Sequence, residues 1–203
     1  MTTYLLVGSI GAMDTRDQLL QTAREQIQRK GYNGFSYADL ANAVGIRKAS
    51  IHHHFPTKEN LGTAVAVQYR HDFMSALQSI ESSKQNYVKK LKAYIQLFRQ
   101  TLEQDHKVCL CIMLAANHDS LPDTVRAEVK GFFQENEKWL TQLLLQGKKA
   151  GDFEFKAKAT EIAKSILSAL EGAMVIAESM DDPGRLASVT PWILSSVEKR
   201  QVT

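Results

Sequence analysis

The chain has 203 residues, of which 44% are apolar and 23% charged, with four prolines and eleven glycines. This composition is typical of a globular protein and excludes collagen-like, disordered and disulfide-scaffold chains. Lys and Arg number 25 and Asp and Glu 22, and the resulting net charge of +3 does not by itself identify a partner.

The first two helices are predicted from local start and stop signals. A helix begins near Thr15 and ends at Gly31, because a glycine is the favoured residue after a helix C-terminus. Ser36, followed three residues later by Asp39, resembles a capping box that opens a second helix. Gly45 ends that helix after about two turns.

A third short helix is predicted over residues 47–54. It ends before Phe55 and Pro56, because the residue that precedes a proline is disfavoured in the helical conformation. Thr57 is placed to cap a fourth helix. Three short helices, of which the last two are joined by a tight glycine turn, are the outline of a helix-turn-helix.

The rest of the chain shows only helical periodicity, with longer segments. No segment alternates apolar and polar residues as a half-buried strand does. The predicted fold is therefore all-α, with about nine helices in an N-terminal three-helix helix-turn-helix domain and a larger helical bundle. The later helices are predicted at 58–80, 84–104, 107–118, 122–147, 157–180 and 184–200.

Localisation is predicted from what the sequence lacks. No apolar run approaches the ~20 residues that a membrane span needs, and the N-terminal segment has neither the basic region nor the long apolar core of a secretory signal. Two cysteines, Cys109 and Cys111, are too few for a disulfide framework and agree with a reducing compartment. We therefore expect a cytoplasmic protein without a membrane contact.

Residues 35–61 read FSYADLANAVGIRKASIHHHFPTKENL. This segment resembles the DNA-binding signature of the TetR family of transcriptional regulators, and the resemblance extends upstream to about residue 14. His52, Arg47 and Ala49 stand where the family commonly has Tyr, Ser and Gly. The resemblance implies three regions, namely a flexible arm over 1–13, a helix-turn-helix DNA-binding domain over 14–61 and an effector-binding and dimerisation domain over 62–203.

The residue types of the third helix suit a DNA-reading helix, which needs an apolar side for packing and an exposed side with short or donor-bearing side chains. Arg47, Lys48 and Ala49 are the candidates for reading bases, and the other candidates position the backbone on phosphates. The predicted DNA-binding residues are Ser36, Tyr37, Arg47, Lys48, Ala49, Ser50, His52, His53, His54 and Lys58.

Three consecutive histidines invite a metal interpretation, which helix geometry opposes. Neighbouring residues on a helix point ~100° apart, so His52, His53 and His54 do not converge on one ion. His52 or His54 either contacts a phosphate or packs with one ring nitrogen satisfied. We expect no metal site.

The two cysteines allow two interpretations. At helical spacing Cys109 and Cys111 lie on different faces, and at least one is expected to be a small buried apolar residue. The alternative rests on the resemblance of residues 107–110 to the Gly-Cys-Leu segment of TetR-type repressors that sense electrophiles or oxidants, although Val108 replaces the glycine. In that interpretation Lys107 and His106 lower the pKa of the Cys109 thiol.

Large side chains along the C-terminal helices are candidates for an effector site. Most such residues are core, but the resemblance implies a cavity, and aromatic and Met walls with a few polar groups suit a small, mostly apolar ligand. The candidates are Tyr69, Phe73, Tyr94, Phe98, Met113, Asn117, Phe133, Trp139, Glu171 and Met174.

Dimerisation is expected from two lines of reasoning. The apolar faces of the last two helices, over 157–200, are too wide for one partner helix, and the resemblance implies that they pair with those of a second subunit. A single recognition helix also reads few bases, whereas a dimer reads two half-sites that lie about 34 Å apart or somewhat more. The expected partners are a palindromic double-stranded DNA operator, a second copy of the chain and a small-molecule effector.

Other functions remain as alternatives. No hydrolytic triad, phosphate loop or metal-ligand pair stands out, so we expect neither an enzyme nor a cofactor. A filled C-terminal core would favour an activator or architectural DNA-binding protein without an effector. An all-α enzyme or lipid carrier would show no salt-dependent DNA binding.

Overall fold

The computed structural model describes residues 14–103 and 107–197. Over these ranges it contains nine α-helices and one short 3-10 helix and no strand, as predicted. The predicted arm over 1–13 and the predicted end of the last helix lie outside the described residues. The helices are α1 (Thr15–Lys30), α2 (Tyr37–Val44), α3 (Lys48–His54), α4 (Lys58–Ser82), α5 (Tyr87–Glu103), α6 (Leu110–Ala115), the 3-10 helix (His118–Ser120), α7 (Asp123–Ala150), α8 (Ala159–Ser179) and α9 (Arg185–Val197).

The first three helices form where the local signals place them. The Ser36 hydroxyl accepts a hydrogen bond from the backbone N–H of Asp39, and the Asp39 carboxylate accepts one from the backbone N–H of Ser36. Gly31 and Gly45 end α1 and α2 with φ of 75° and 76°, a backbone region that glycine adopts at little cost. The capping signals are therefore confirmed.

A second capping box begins α4, which joins the two parts of the molecule. The Thr57 hydroxyl accepts from the backbone N–H of Asn60, whose side chain accepts in return from the backbone N–H of Thr57. The helix runs from the end of α3 to Ser82 and packs against α1, α5 and α7. It therefore connects the three-helix unit directly to the interior of the bundle.

The bundle is organised around α7, which packs along α4 on one side and α8 on the other. Helix α9 closes the bundle against α8. No helix in the two described ranges is both long and apolar enough to cross a membrane.

The predicted helix over 107–118 is wrong. The structure has an α-helix only from Leu110 to Ala115, followed by the 3-10 helix. The Gln28 side-chain amide donates to the backbone carbonyl of Val108 at 2.7 Å, and Cys109 adopts a non-helical conformation. This bond to α1 spans 80 residues of sequence and holds the segment before α6 outside a helix.

Candidate DNA-binding surface and buried polar cluster

The recognition helix α3 packs through one side and leaves the other open. Ile51 is fully buried, and Phe55, which follows the helix, is also buried. Arg47, Lys48, Ala49, Ser50 and His53 are exposed. The predicted base-reading residues are therefore brought together on one open surface that carries two cations.

Tyr37 uses its hydroxyl inside the domain, and the exposed Ser36 uses its own to cap α2. The buried Tyr37 hydroxyl lies 2.8 Å from the Phe55 carbonyl and 2.6 Å from the Thr57 carbonyl, to which it donates. Burial raises the pKa of Tyr37 to about 12, so the hydroxyl remains a donor near neutral pH. The bond ties the start of α2 to the turn between α3 and α4, which makes Tyr37 an anchor for α3.

Lys58 is partly buried and bonds within the domain, and the phosphate contact expected of it stays a prediction. Its Nζ donates to the backbone carbonyl of Phe35 and lies 4.3 Å and 5.1 Å from the ring centroids of Phe35 and Tyr32. Partial burial lowers the pKa of the Lys58 ammonium. Its apolar stem and the two aromatic rings hold it between α4 and the loop before α2.

The three histidines have different surroundings. His52 is exposed, yet its Nδ1 lies 3.1 Å from the Pro56 carbonyl and its ring packs edge-on against Tyr37 at 4.9 Å. It thus follows the alternative in which one ring nitrogen is satisfied. The rings of His53 and His54 lie 5.4 Å apart, and the described part of the chain holds no cluster of three or more potential metal ligands.

Most of the predicted effector residues belong to one aromatic cluster inside the bundle. The cluster links α4, α5 and α7 through ring contacts at centroid distances of 5.1–5.7 Å. Met174 is fully buried, and Met113 packs against the same core. The rings in contact are Tyr69, Phe73, Tyr94, Phe98, Phe132, Phe133 and Trp139.

A buried carboxyl group lies beside these rings. Glu171 of α8 is only 3% exposed, and among the described residues its carboxyl oxygens have no well-formed hydrogen bond; the neighbouring polar group is the Cys109 thiol, a weak donor. Burial, with the neighbouring Cys109 thiol as a second cause, raises the pKa of Glu171 well above its usual range. Glu171 also interacts electrostatically with the hydroxyls of Tyr69 and Tyr94.

Asn136 of α7 adds a second unsatisfied polar group. Its Oδ1 accepts a hydrogen bond from the Tyr94 hydroxyl at 2.7 Å, whereas its Nδ2 has no acceptor. Sequence reasoning missed Asn136, although it stands in the apolar series Val129, Phe132 and Leu140 at helical spacing. A polar residue on such a face is the signal that identifies it.

Asn117 is not part of this cluster. It donates from Nδ2 to the Met113 carbonyl at 3.2 Å and lies next to Gly31 at the end of α1. The structure therefore places Asn117 at the junction between the DNA-binding domain and the bundle.

The cysteines are both buried, and they lie together rather than on different faces. Because Cys109 precedes α6 in a non-helical conformation, its thiol reaches that of Cys111. Burial raises the pKa of Cys109, whereas the alternative interpretation requires it to be lowered. Lys107 forms an ion pair with Glu25 at 3.4 Å, and His106 lies outside the described residues. Such a thiol remains protonated and weakly nucleophilic.

Arg24 of α1 is a further residue that sequence reasoning missed. Its guanidinium lies 4.7 Å from the ring centroid of Tyr69 and forms an ion pair with Asp72 at 3.6 Å. The sequence gives no signal for this contact, because it joins helices that are distant along the chain. It places a charged side chain of the DNA-binding domain over an aromatic residue of the bundle.

Comparison with known proteins identifies the family. Residues 19–65 match the bacterial regulatory proteins of the tetR family, and residues 88–192 match the tetracyclin repressor-like C-terminal domain. This chain belongs to the TetR family. It is a DNA-binding transcriptional regulator with an N-terminal helix-turn-helix and a helical C-terminal domain.

Individual relatives agree over most of the chain. The HTH-type transcriptional repressor DhaR of Mycobacterium sp. (strain GP1) is 24% identical over 161 residues, which are 79% of this chain and 80% of DhaR. The HTH-type transcriptional regulator CymR of Pseudomonas putida is 28% identical over 70% of this chain and 72% of CymR. A TetR-family regulator from Agrobacterium tumefaciens has a solved structure with a TM-score of 0.88 and 34% identity, over 91% of this chain and 97% of that one.

Proposed function

We propose that this regulator is a repressor that binds a palindromic operator as a homodimer and is released by a small, mostly apolar ligand. The observation that carries the proposal is α3, which buries Ile51 and exposes Arg47, Lys48 and Ala49 on one surface. Such a helix fits the major groove, where Lys or Arg donates to guanine and Ala contacts the thymine methyl. Because it acts on DNA, we infer a cytoplasmic location.

The exposed apolar face of α8 and α9 supports the homodimer. Val175, Ile176, Met180 and Trp192 are 41–57% exposed, and a Cβ added to Gly172 would meet no atom within 4 Å. Large side chains grouped in this way are typical of a protein interface. A second copy packed here forms a four-helix contact and presents two copies of α3 to two half-sites.

Ligand release requires a connection between the bundle and α3, which α4 supplies. This helix starts four residues after α3 and carries Tyr69 and Phe73 of the aromatic cluster. A ligand that binds better when α4 is displaced weakens DNA binding by its difference in affinity for the two states. We infer that the interior of domain 62–203 is the effector site.

The test is selection of bound duplexes from a random DNA pool by the purified chain, with the mass of the protein–DNA complex measured on the selected sequence. We expect enrichment of a palindrome bound by two chains, or by a higher even number. Enrichment of an asymmetric site bound by one chain contradicts the dimer, and the absence of any enriched sequence contradicts operator recognition.

A further inference from the structure

The bundle interior contains a donor and an acceptor that the protein leaves unused. Both Glu171 carboxyl oxygens and the Asn136 amide nitrogen are buried without a hydrogen-bond partner among the described residues. Tyr94 joins the two sites, since its hydroxyl donates to Asn136 and interacts electrostatically with Glu171. Buried polar groups are nearly always satisfied, so a group that the protein leaves unsatisfied calls for a partner from outside.

The surroundings of Glu171 define what that partner is. The groups that interact with the Glu171 carboxyl are the Tyr69 hydroxyl from α4, the Tyr94 hydroxyl from α5 and the Cys109 thiol before α6, and none of them is a cation. The nearby rings of Phe98, Phe132 and Trp139 add apolar surface and aromatic faces, which attract cations. An anion is disfavoured here, because none of these groups is a cation that offsets the cost of burying its charge.

We propose that the effector is an apolar amine, whose nitrogen pairs with the Glu171 carboxyl while its apolar body lies against the aromatic cluster. The inference rests on the proposed function, because it names the ligand class for the same interior site. The amine enters as an ammonium, since the pKa of an alkylammonium is about 10; the buried acid releases its proton to solvent, and the ammonium donates N–H groups to the carboxylate oxygens. Charge-assisted bonds of this kind are stronger than those between neutral groups.

The route to Glu171 passes Tyr69. Two surface grooves of about 260 and 190 Å³ lie between α1, α4 and α5, and both are lined by Arg24, Tyr69 and Asp72. Tyr69 lines both grooves, and its buried hydroxyl interacts with the Cys109 thiol and with Glu171. Arg24 covers its ring and is held by Asp72, so a ligand that displaces Tyr69 also displaces Arg24 and, with it, α1.

This geometry connects the ligand directly to the DNA-binding domain. Helix α1 packs against α2, which carries the Tyr37 anchor of α3. Entry of an amine past Tyr69 therefore changes the position of α1 relative to α4, in addition to any movement of α4 itself.

The test uses three probes of one shape, namely phenylpropylamine, phenylpropanol and phenylpropionate. Binding is measured by isothermal titration calorimetry, which leaves Trp139 in the aromatic cluster and Trp192 on the α8–α9 face in place. Each probe is titrated into this protein, into Glu171→Gln and into the matched control Glu178→Gln on the same helix. Operator affinity is measured with and without the amine.

We expect the amine to bind at least about tenfold more tightly than the alcohol, with the propionate weakest. Glu171→Gln removes this preference, and Glu178→Gln keeps it. Equal affinities for the three probes, no binding of the amine, or a preference that persists in Glu171→Gln overturns the inference. Glu171-dependent amine binding that leaves operator affinity unchanged supports the ligand class and contradicts ligand release, which separates the two proposals.

Discussion

Glu171 is a carboxyl group for which the protein interior provides no hydrogen-bond donor of good geometry. Its burial disfavours the ionised form, and the Cys109 thiol beside it is a poor donor. The native protein therefore holds this proton to a higher pH than the unfolded chain does. A group of this kind reduces the stability of the native state at neutral pH. A ligand that donates hydrogen bonds to the carboxyl oxygens would recover part of that loss.

Glu171→Gln is expected to change the pH dependence of stability. Burial raises the pKa of Glu171 well above its usual range, so the native state binds more protons than the unfolded state between the ordinary pKa of a glutamate, about 4.3, and the raised pKa. Stability contributed by this group is present below that window and is lost as pH rises through it. The variant lacks this loss, so its melting temperature relative to the parent protein is higher at pH 8 than at pH 4.

Thermal unfolding of the parent protein, Glu171→Gln and the control Glu178→Gln at the two pH values checks this prediction. Glu178 lies on the same helix and is partly exposed, and its substitution should not change the pH dependence. A Glu171→Gln curve that runs parallel to the parent curve across the window contradicts a raised pKa.

Local sequence sets the ends of the first helices, whereas a contact between distant residues sets the conformation before α6. The ends of α1, α2 and α3 follow from Gly31, Ser36 and Gly45, whose capping preferences act over a few residues, and these helices are predicted correctly. The segment before α6 depends instead on the bond between Gln28 and Val108, which no local pattern encodes. The same reason explains the contact of the two thiols, which depends on the non-helical Cys109.

The orientation of Lys58 is a further limit of sequence reasoning. A lysine at the start of α4, beside the recognition helix, has the residue type of a phosphate contact, and the sequence does not show the inward direction of its side chain. That direction depends on the Phe35 carbonyl and on two aromatic rings contributed by the preceding loop. The aromatic cluster, by contrast, was predictable because large apolar residues at helical spacing mark the core.

Gln28→Ala is expected to destabilise the junction between α1 and α6. The substitution removes a buried donor and leaves the Val108 carbonyl without that bond, which costs about 1–3 kcal/mol. Urea unfolding measures the loss, with Gln21→Ala as the matched control, since Gln21 bonds Glu25 on the exposed face of the same helix. Equal stability of the two variants contradicts a structural role for the Gln28 bond.

The whole molecule has two open surfaces, an apolar face on α8 and α9 and a basic face on α3. The face of α8 and α9 exposes Ile176 and Trp192, and α3 exposes Lys48. A dimer covers the first surface and duplicates the second, which doubles the number of base contacts on one operator. The two surfaces are thus both explained by a dimer that binds one operator.

Ile176→Asp is expected to convert the dimer to a monomer, because it buries a charge without a partner in the interface. The matched control is Val67→Asp, which places the same carboxylate at a residue of similar exposure on α4. Sedimentation velocity measures the oligomeric state of both. A dimer that survives Ile176→Asp, or one that Val67→Asp also dissociates, contradicts dimerisation through α8 and α9.

The most direct test of operator reading by α3 is the affinity of Lys48→Ala for the selected operator and for a scrambled duplex. The control is Lys130→Ala, which changes an exposed lysine of α7. Loss of a base contact reduces the preference for the operator by about 1–3 kcal/mol. The account predicts that Lys48→Ala loses this preference while binding to the scrambled duplex falls less, and that Lys130→Ala changes neither. Equal losses on both duplexes, or no loss on the operator, would contradict it.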